Sequence, residues 1–446
     1  MFGMQNYAVD HGLIRTLVLK TTTRALKTTR APKTTRAPQT TTRAPKTTML
    51  LSRTLLSLLP LVSAAPTADR QWKKVLMSDA VASHEARCLD GSPGGFYIAP
   101  PAEKVPDPNS RWLVFHQGGG WCGSPENCLS RASTALGSSN DWPATYSDKY
   151  EGSELWATAP FDGFTVVYAM YCDGGSWAGN TTGVVGNTTL HYRGRPLLDA
   201  LLETLLEMGL KSASQLLYAG CSAGALTTYL HADYVRSKVP SSVATLALAD
   251  AMFALDHVAF DGRPHYSGVM QWVYEGMGCA ASVNAACLAH YGDADGWRCM
   301  LGALAAPFVQ TPLFILNSKY DTWQEAAIVG LRCTPPDCAN ATQEAFWVSY
   351  GRSMVRALDA VPARHAAFLM NCPAHCQTGT GGDWGTRRVG NTTNADAVAQ
   401  WWHATIGAAA TAATVGRGVA VEQEAAVAAP RWVERCDERP CSGDVC

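Results

Sequence analysis

Residues 215–237 read QLLYAGCSAGALTTYLHADYVRS. The first six form an apolar run of strand length, and a helical pattern follows the second glycine. Between them Gly220, Cys221, Ser222, Ala223 and Gly224 spell G-x-S-x-G. In a chain with 39 glycines the pattern alone carries little weight. Its placement between a strand and a helix gives it meaning. A sharp strand-to-helix turn leaves no room for Cβ atoms at its flanks, so glycine suits both positions. Such a turn lifts the central side chain above the sheet, beside the free N–H groups and positive dipole end of the following helix. Ser222 is therefore the candidate nucleophile. Cys221 is the rival, since thiolates react readily. In this geometry, however, the residue before the centre points away from the site. The count of fifteen cysteines is odd, so an unpaired Cys221 leaves fourteen for seven bridges. Cys221 is expected to be a free packing residue.

Further apolar runs lie on either side: 111–116 (RWLVFH), 164–171 (FTVVYAMY), 244–250 (ATLALAD), 312–317 (PLFILN) and 366–371 (AAFLMN). Helical patterns alternate with them. The clearest is 196–210, where Leu198, Leu201, Leu202, Leu205 and Met208 share a face and Gly209 ends the pattern. This alternation predicts an α/β fold with a mostly parallel central sheet flanked by helices. Residues 260–310 and 322–362 read as helical and loop-rich segments forming a cap.

A reactive serine needs a base, an acid to orient it, and donors for the oxyanion. Asp321 follows the run 312–317, and His375 follows the run 366–371, in the chain order Ser, Asp, His. Each has a plainer reading. An acid beyond a strand is commonly a helix cap, and a histidine between Cys372 and Cys376 can be a zinc ligand or sit in a disulfide loop. The loop after 111–116 holds Gly118, Gly119 and Gly120, whose backbone N–H groups can turn toward an oxyanion, with Ala223 N–H adding a donor from the turn. The plainer reading there is a flexible turn. Asp173 and Trp177, in YCDGGSWAGN, stand at a strand end suited to a sugar, or belong to a disulfide-held loop.

Composition bounds the setting. The net charge is −1, but residues 1–48 carry nine Lys/Arg against Asp10, so the remainder is acidic. This removes the electrostatic case for nucleic-acid binding. Fifteen cysteines and four N-x-[ST] acceptors, at Asn180, Asn187, Asn340 and Asn391, point to an oxidising compartment and export. Residues 1–48 repeat a KTTRAP-like unit that can bury no core. From Met49 a secretory signal is expected over 49–65, with an apolar run at 55–62 too short to span a bilayer. Residues 1–48 are then an upstream extension, or else an Arg/Thr-rich targeting leader. The main domain is expected over 66–403. The tail 404–446, alanine-rich and ending in CDERPCSGDVC, docks through a disulfide or remains loose.

The blocks HQGGGWCGSPENCLSR, MYCDGGSWAGN, LLYAGCSAGALTTYLHADYVRS, NSKYDTWQ and NCPAHCQT resemble the pectinacetylesterase/Notum family of secreted carboxylesterases, over about residues 70–403. The resemblance implies an α/β-hydrolase fold with a triad at Ser222, Asp321 and His375 and an oxyanion hole at Gly119, Gly120 and Ala223. GGGWC and GCSAG lean to the plant pectin acetylesterase-like branch, with Ala225 in place of its last glycine. It implies a disulfide-rich monomer, secreted to the extracellular space or the cell wall, that removes O-acetyl groups from an extracellular polysaccharide such as pectin without metal or organic cofactor. The alternatives are a Notum-like protein fatty-acyl (palmitoleoyl) esterase and a catalytically inactive glycan-binding protein on the same fold.

Overall fold

The computed structural model describes residues 70–101, 105–146, 151–379, 381, 383–414 and 428–437. The expected leader over 1–48 and signal over 49–65 lie outside them.

Nine strands make one sheet: β1 (Lys73–Leu76), β2 (Gly95–Ala99), β3 (Arg111–His116), β4 (Thr165–Ala169), β5 (Gln215–Cys221), β6 (Ala244–Asp250), β7 (Leu313–Ser318), β8 (Ala366–Met370) and β9 (Arg431–Val433). Their spatial order is β1-β2-β4-β3-β5-β6-β7-β8-β9. The pairs β1–β2 and β2–β4 are antiparallel, and every pair from β4 to β9 is parallel. This is an α/β-hydrolase-like sheet. Every residue of β4, β7 and β8 is buried, because helices cover both faces and leave no polar side to alternate with.

All six expected strands form, with ends shifted by at most two residues. The helix expected at 196–210 runs Gly194–Glu207 and buries Leu197, Leu198, Leu201, Leu202 and Leu205. Met208 falls beyond its end and is 38% exposed. Gly209, at φ +125°, turns the chain into a short 3-10 segment. Helix Ala223–Lys238 crosses from β5 to β6. Between β6 and β7 lie helix His265–Gly276 and shorter helical turns through Phe308, and between β7 and β8 lies helix Ala341–Asp359.

Among the described residues, disulfides join Cys88–Cys172, Cys122–Cys128, Cys221–Cys376, Cys287–Cys299 and Cys333–Cys338, and Cys372 and Cys436 are disulfide-bonded as well. The third corrects the expectation that Cys221 is unpaired. Cys221 is fully buried. The loop carrying His375 folds back beneath the turn, however, and brings Cys376 within a Cα–Cα distance of 5.5 Å, inside the span a bridge requires. Among the described residues the free cysteine is Cys279, also buried.

Part of the tail belongs to the sheet. The helix Asn394–Thr414 runs through residue 403, and β9 then pairs with β8. Arg431 ties the new edge down by donating to the carbonyls of Leu358, Val361, Pro362 and His365 at 2.8–3.2 Å. Cys436, just beyond, is disulfide-bonded. The four sequon asparagines, Asn180, Asn187, Asn340 and Asn391, are all exposed. No helix among the described residues is long and apolar enough to cross a membrane.

Candidate active site

Ser222 sits between the end of β5 and helix Ala223–Lys238, at φ +58° and ψ −124°. A non-glycine residue held there costs about 1–3 kcal/mol, so the surroundings must hold it in place. They do so by crowding. A Cβ on Gly220 would stand 2.3 Å from Gly224 O, and one on Gly224 would stand 2.0 Å from His116 O. Both glycines are required because the helix start is pressed against its own strand and against the end of β3. The Ser222 N–H donates to Asp250 O at 2.9 Å, which registers the turn against β6.

Asp321 follows β7 and His375 follows β8. His375 Nδ1 lies 2.9 Å from Asp321 Oδ2 and 3.0 Å from Oδ1. A carboxylate can only accept, so Nδ1 carries the proton and Nε2 keeps its lone pair. Asp321 is fully buried and also caps the next turn, accepting from Trp323 N–H and Gln324 N–H at 3.0 Å each. The capping reading and the pairing with histidine both hold, and the cap fixes the carboxylate for the pairing. The two loops also meet through the backbone, where Asp321 and Ala374 form a parallel bridge. Trp323 stacks on the imidazole, with centroids 6.2 Å apart.

His375 is brought to the turn by the Cys221–Cys376 bridge, whose halves immediately precede Ser222 and follow His375. Ligand atoms of Cys221, His375 and Cys376 lie within 4.8 Å of one another. That trio does not suit zinc, since both sulfurs are spent in one disulfide and neither is a thiolate. Cys372, on the other side of the histidine, is disulfide-bonded too.

The imidazole's basicity reflects opposed effects. Burial alone would pull His375 down. The Asp321 charge and hydrogen bond, joined by the charges of Asp250 and Glu151, outweigh it and hold the group above its ordinary value. Desolvation pushes Asp250 up to about 6 against its hydrogen bonds from Thr378, and pushes Glu151 up against a hydrogen bond from Gly118.

The glycine loop after β3 divides its donors. Gly118 N–H donates to Glu151 Oε2 at 2.6 Å and is thereby engaged. Gly119 and Gly120 take φ +137° and +64°, values that only glycine adopts freely. Arg131 Nη1 holds Gly119 O at 2.9 Å, and Tyr171 OH holds Gly120 O at 2.8 Å. In a trans peptide the N–H points opposite the preceding C=O. Anchoring Gly119 O to the scaffold therefore turns Gly120 N–H away from it. Ala223 N–H, at the first position of its helix, lacks an intrahelical partner. The elbow and the loop are joined by Ser176, whose hydroxyl donates to Ala223 O at 2.8 Å and accepts Trp121 Nε1–H at 2.7 Å.

Asp173 and Trp177 are buried, at 0% and 1% exposure, so neither is presented to a sugar. Asp173 Oδ2 instead accepts the Gly175 and Trp177 N–H groups and shapes the loop. Sequence reasoning missed Glu151, Asp250 and Thr378. Only Asp250 left a visible sign, as an acid ending the apolar run next to the elbow strand.

The comparisons agree with this architecture. The pectinacetylesterase family model matches residues 66–413. Pectin acetylesterase 5 of Arabidopsis thaliana is 28% identical over 371 residues, covering 77% of this chain and 85% of that protein. Pectin acetylesterase 7 of the same plant is 28% identical over 336 residues, covering 71% and 84%. The human palmitoleoyl-protein carboxylesterase NOTUM is 27% identical over 337 residues, covering 70% of this chain and 63% of that protein. An elbow serine, a histidine–carboxylate pair after the last core strands and a family match across most of the described fold converge on one assignment: the chain belongs to the pectinacetylesterase family and is a carboxylic ester hydrolase.

Proposed function

We propose that the protein is a secreted serine esterase that removes O-acetyl groups from an extracellular polysaccharide such as pectin. Ser222 is the nucleophile, His375 the base and Asp321 the orienting acid. The observation that carries the reading is the His375–Asp321 pair, tethered beside the Ser222 elbow by the Cys221–Cys376 bridge. In the reaction His375 Nε2 takes the Ser222 proton as Oγ attacks the ester carbonyl. Asp321 stabilises the imidazolium that results. N–H groups of Gly119, Gly120 and Ala223 receive the oxyanion. The protonated histidine then delivers its proton to the departing sugar oxygen, which leaves as a hydroxyl. Water, deprotonated by the same nitrogen, attacks the acyl carbon; its bond to Oγ breaks, the histidine returns the proton to Ser222, and acetate leaves. Every step uses side chains and backbone of this chain alone.

Export is supported by the disulfides and the exposed sequons. The acetyl-polysaccharide substrate is supported by the pectin acetylesterase relatives. The similarity to palmitoleoyl-protein carboxylesterase supports a second reading, in which the ester carries a long acyl chain on a protein. Kinetics with p-nitrophenyl acetate and octanoate, followed by acetate release from acetylated pectin, separate the two. Preference for acetyl with acetate release is expected. A strong preference for octanoate overturns the polysaccharide reading. Ser222→Ala is expected to abolish turnover and fluorophosphonate labelling. Hydrolysis at the wild-type rate by that variant refutes the triad, and failure of the native protein to label supports an inactive binding role.

A further inference from the structure

Asp250 is a buried carboxylate that the reaction above does not use, yet it touches both the elbow and the loop that follows His375. It ends β6 and pairs in register with Cys221, and its backbone oxygen accepts the Ser222 N–H at 2.9 Å. Its Oδ2 accepts both the N–H and the hydroxyl of Thr378, each at 2.8 Å. Thr378 lies three residues beyond His375, and its own carbonyl accepts from Glu154 N–H at 3.2 Å and Leu155 N–H at 3.4 Å. Asp250 Oδ1 is buried and meets no partner in good hydrogen-bond geometry among the described residues, although the Gln377 N–H also acts on the carboxylate. A carboxylate stripped of water is costly, and an apolar side chain at this strand end would avoid the cost. Here the retained group joins the elbow to the loop that bears the imidazole.

We propose that Asp250 is a positioning residue, holding the Ser222 backbone with its main chain and the His375 loop with its side chain, so that nucleophile and base share one frame. The proposal rests on the triad reading. The Cys221–Cys376 bridge fixes the near end of the same loop, and Asp250 fixes the far end. The segment that follows His375 is thereby held at Cys376 and again at Thr378, which limits how far the backbone bearing the imidazole can shift. The groups acting on the imidazole are then Asp321 by direct contact, with Asp250 and Glu151 acting through space.

The test uses Asp250→Asn and Thr378→Val in the full disulfide-bonded protein, with Ser222→Ala as control. The amide oxygen of Asp250→Asn carries no charge, so it holds the two Thr378 donors more weakly than the carboxylate oxygen Oδ2 does. For p-nitrophenyl acetate, kcat is expected to fall about tenfold or more while KM stays within twofold. The acid limb of the kcat/KM profile should also move to lower pH, because one negative charge near His375 is gone. Thr378→Val keeps the Asp250 charge and should leave the acid limb nearly in place, which separates the tie from the charge. Thr378→Val is expected to lower kcat severalfold, and the double variant to be no worse than Asp250→Asn. A folded Asp250→Asn protein with wild-type kcat and an unmoved acid limb overturns the proposal. If Asp250→Asn does not fold, Thr378→Val decides: a reduced kcat at constant KM supports the proposal, and an unchanged kcat overturns it. Activity in Ser222→Ala would sink the triad itself, whatever the Asp250 variants show, so the two failures are distinct.

Discussion

Replacing Cys221 and Cys376 together by alanine removes the one covalent tie between the elbow and the histidine loop. The residues are 155 positions apart. A closed loop of that size restricts the unfolded chain by about 5 kcal/mol in the chain-entropy account. Two shorter bridges, Cys287–Cys299 and Cys333–Cys338, lie inside it and shorten the free loop by about a tenth. The dependence is logarithmic, so the figure hardly changes. Cys221 is fully buried and Cys376 half-buried, so their loss adds a small packing cost. Equilibrium urea unfolding without reductant should therefore show the double variant less stable by about 3–5 kcal/mol. Its m-value should be larger, because the uncrosslinked chain exposes more surface when unfolded. Below the unfolding transition kcat should fall more than KM rises, because the base loses a tether while the substrate contacts do not. A variant within about 1 kcal/mol of wild type at the same m-value would show that this bridge does not constrain the chain.

Other outcomes follow from single contacts. Gly224→Ala drives a Cβ to 2.0 Å from His116 O and should yield no native protein by circular dichroism. Gly120→Ala meets nothing within 4 Å, so it should fold at a cost of about 1–2 kcal/mol for its left-handed φ, with the main loss in kcat. The acid limb of kcat/KM should lie above about 6.5, the ordinary histidine value, since His375 is raised and must be neutral to accept a proton. By linkage, the stability from charged His375 is fully present below its unfolded value and is lost as pH rises through the higher folded one. Asp321→Asn should move that limb to lower pH, because the largest raising influence is removed. Arg431→Ala deserts four carbonyls and should cost about 2–3 kcal/mol in urea denaturation without changing KM.

The parallel core was legible because strands covered on both faces must be continuously apolar. All six runs read from the sequence are strands. The edges were not. Lys73–Leu76 has exposed ends and a half-buried middle, and Arg431–Val433 is three residues long, so neither carries a hydrophobic signal of its own. His375 and Asp321 were legible by their place just past two such strands, and the structure pairs them. Counting cysteines failed at Cys221. Parity says that one thiol is left over but not which, and the choice depends on a loop returning from 155 residues away. Glu151 and Thr378 gave no signal because their contacts, to Gly118 and Asp250, are made across the fold by residues with no local pattern.

The ninth strand has a bearing on how the molecule is made. Arg431–Val433 completes the sheet from near the carboxyl end, against a partner some sixty residues earlier. Until those residues have left the ribosome, the outer rim of Ala366–Met370 offers open backbone donors and acceptors to any passing chain. Nascent protein is thus most prone to sticking in the interval before Arg431–Val433 emerges. A recombinant version cut short of Pro430 would carry that hazard permanently, while a tag appended after Cys446 leaves the closing strand in place.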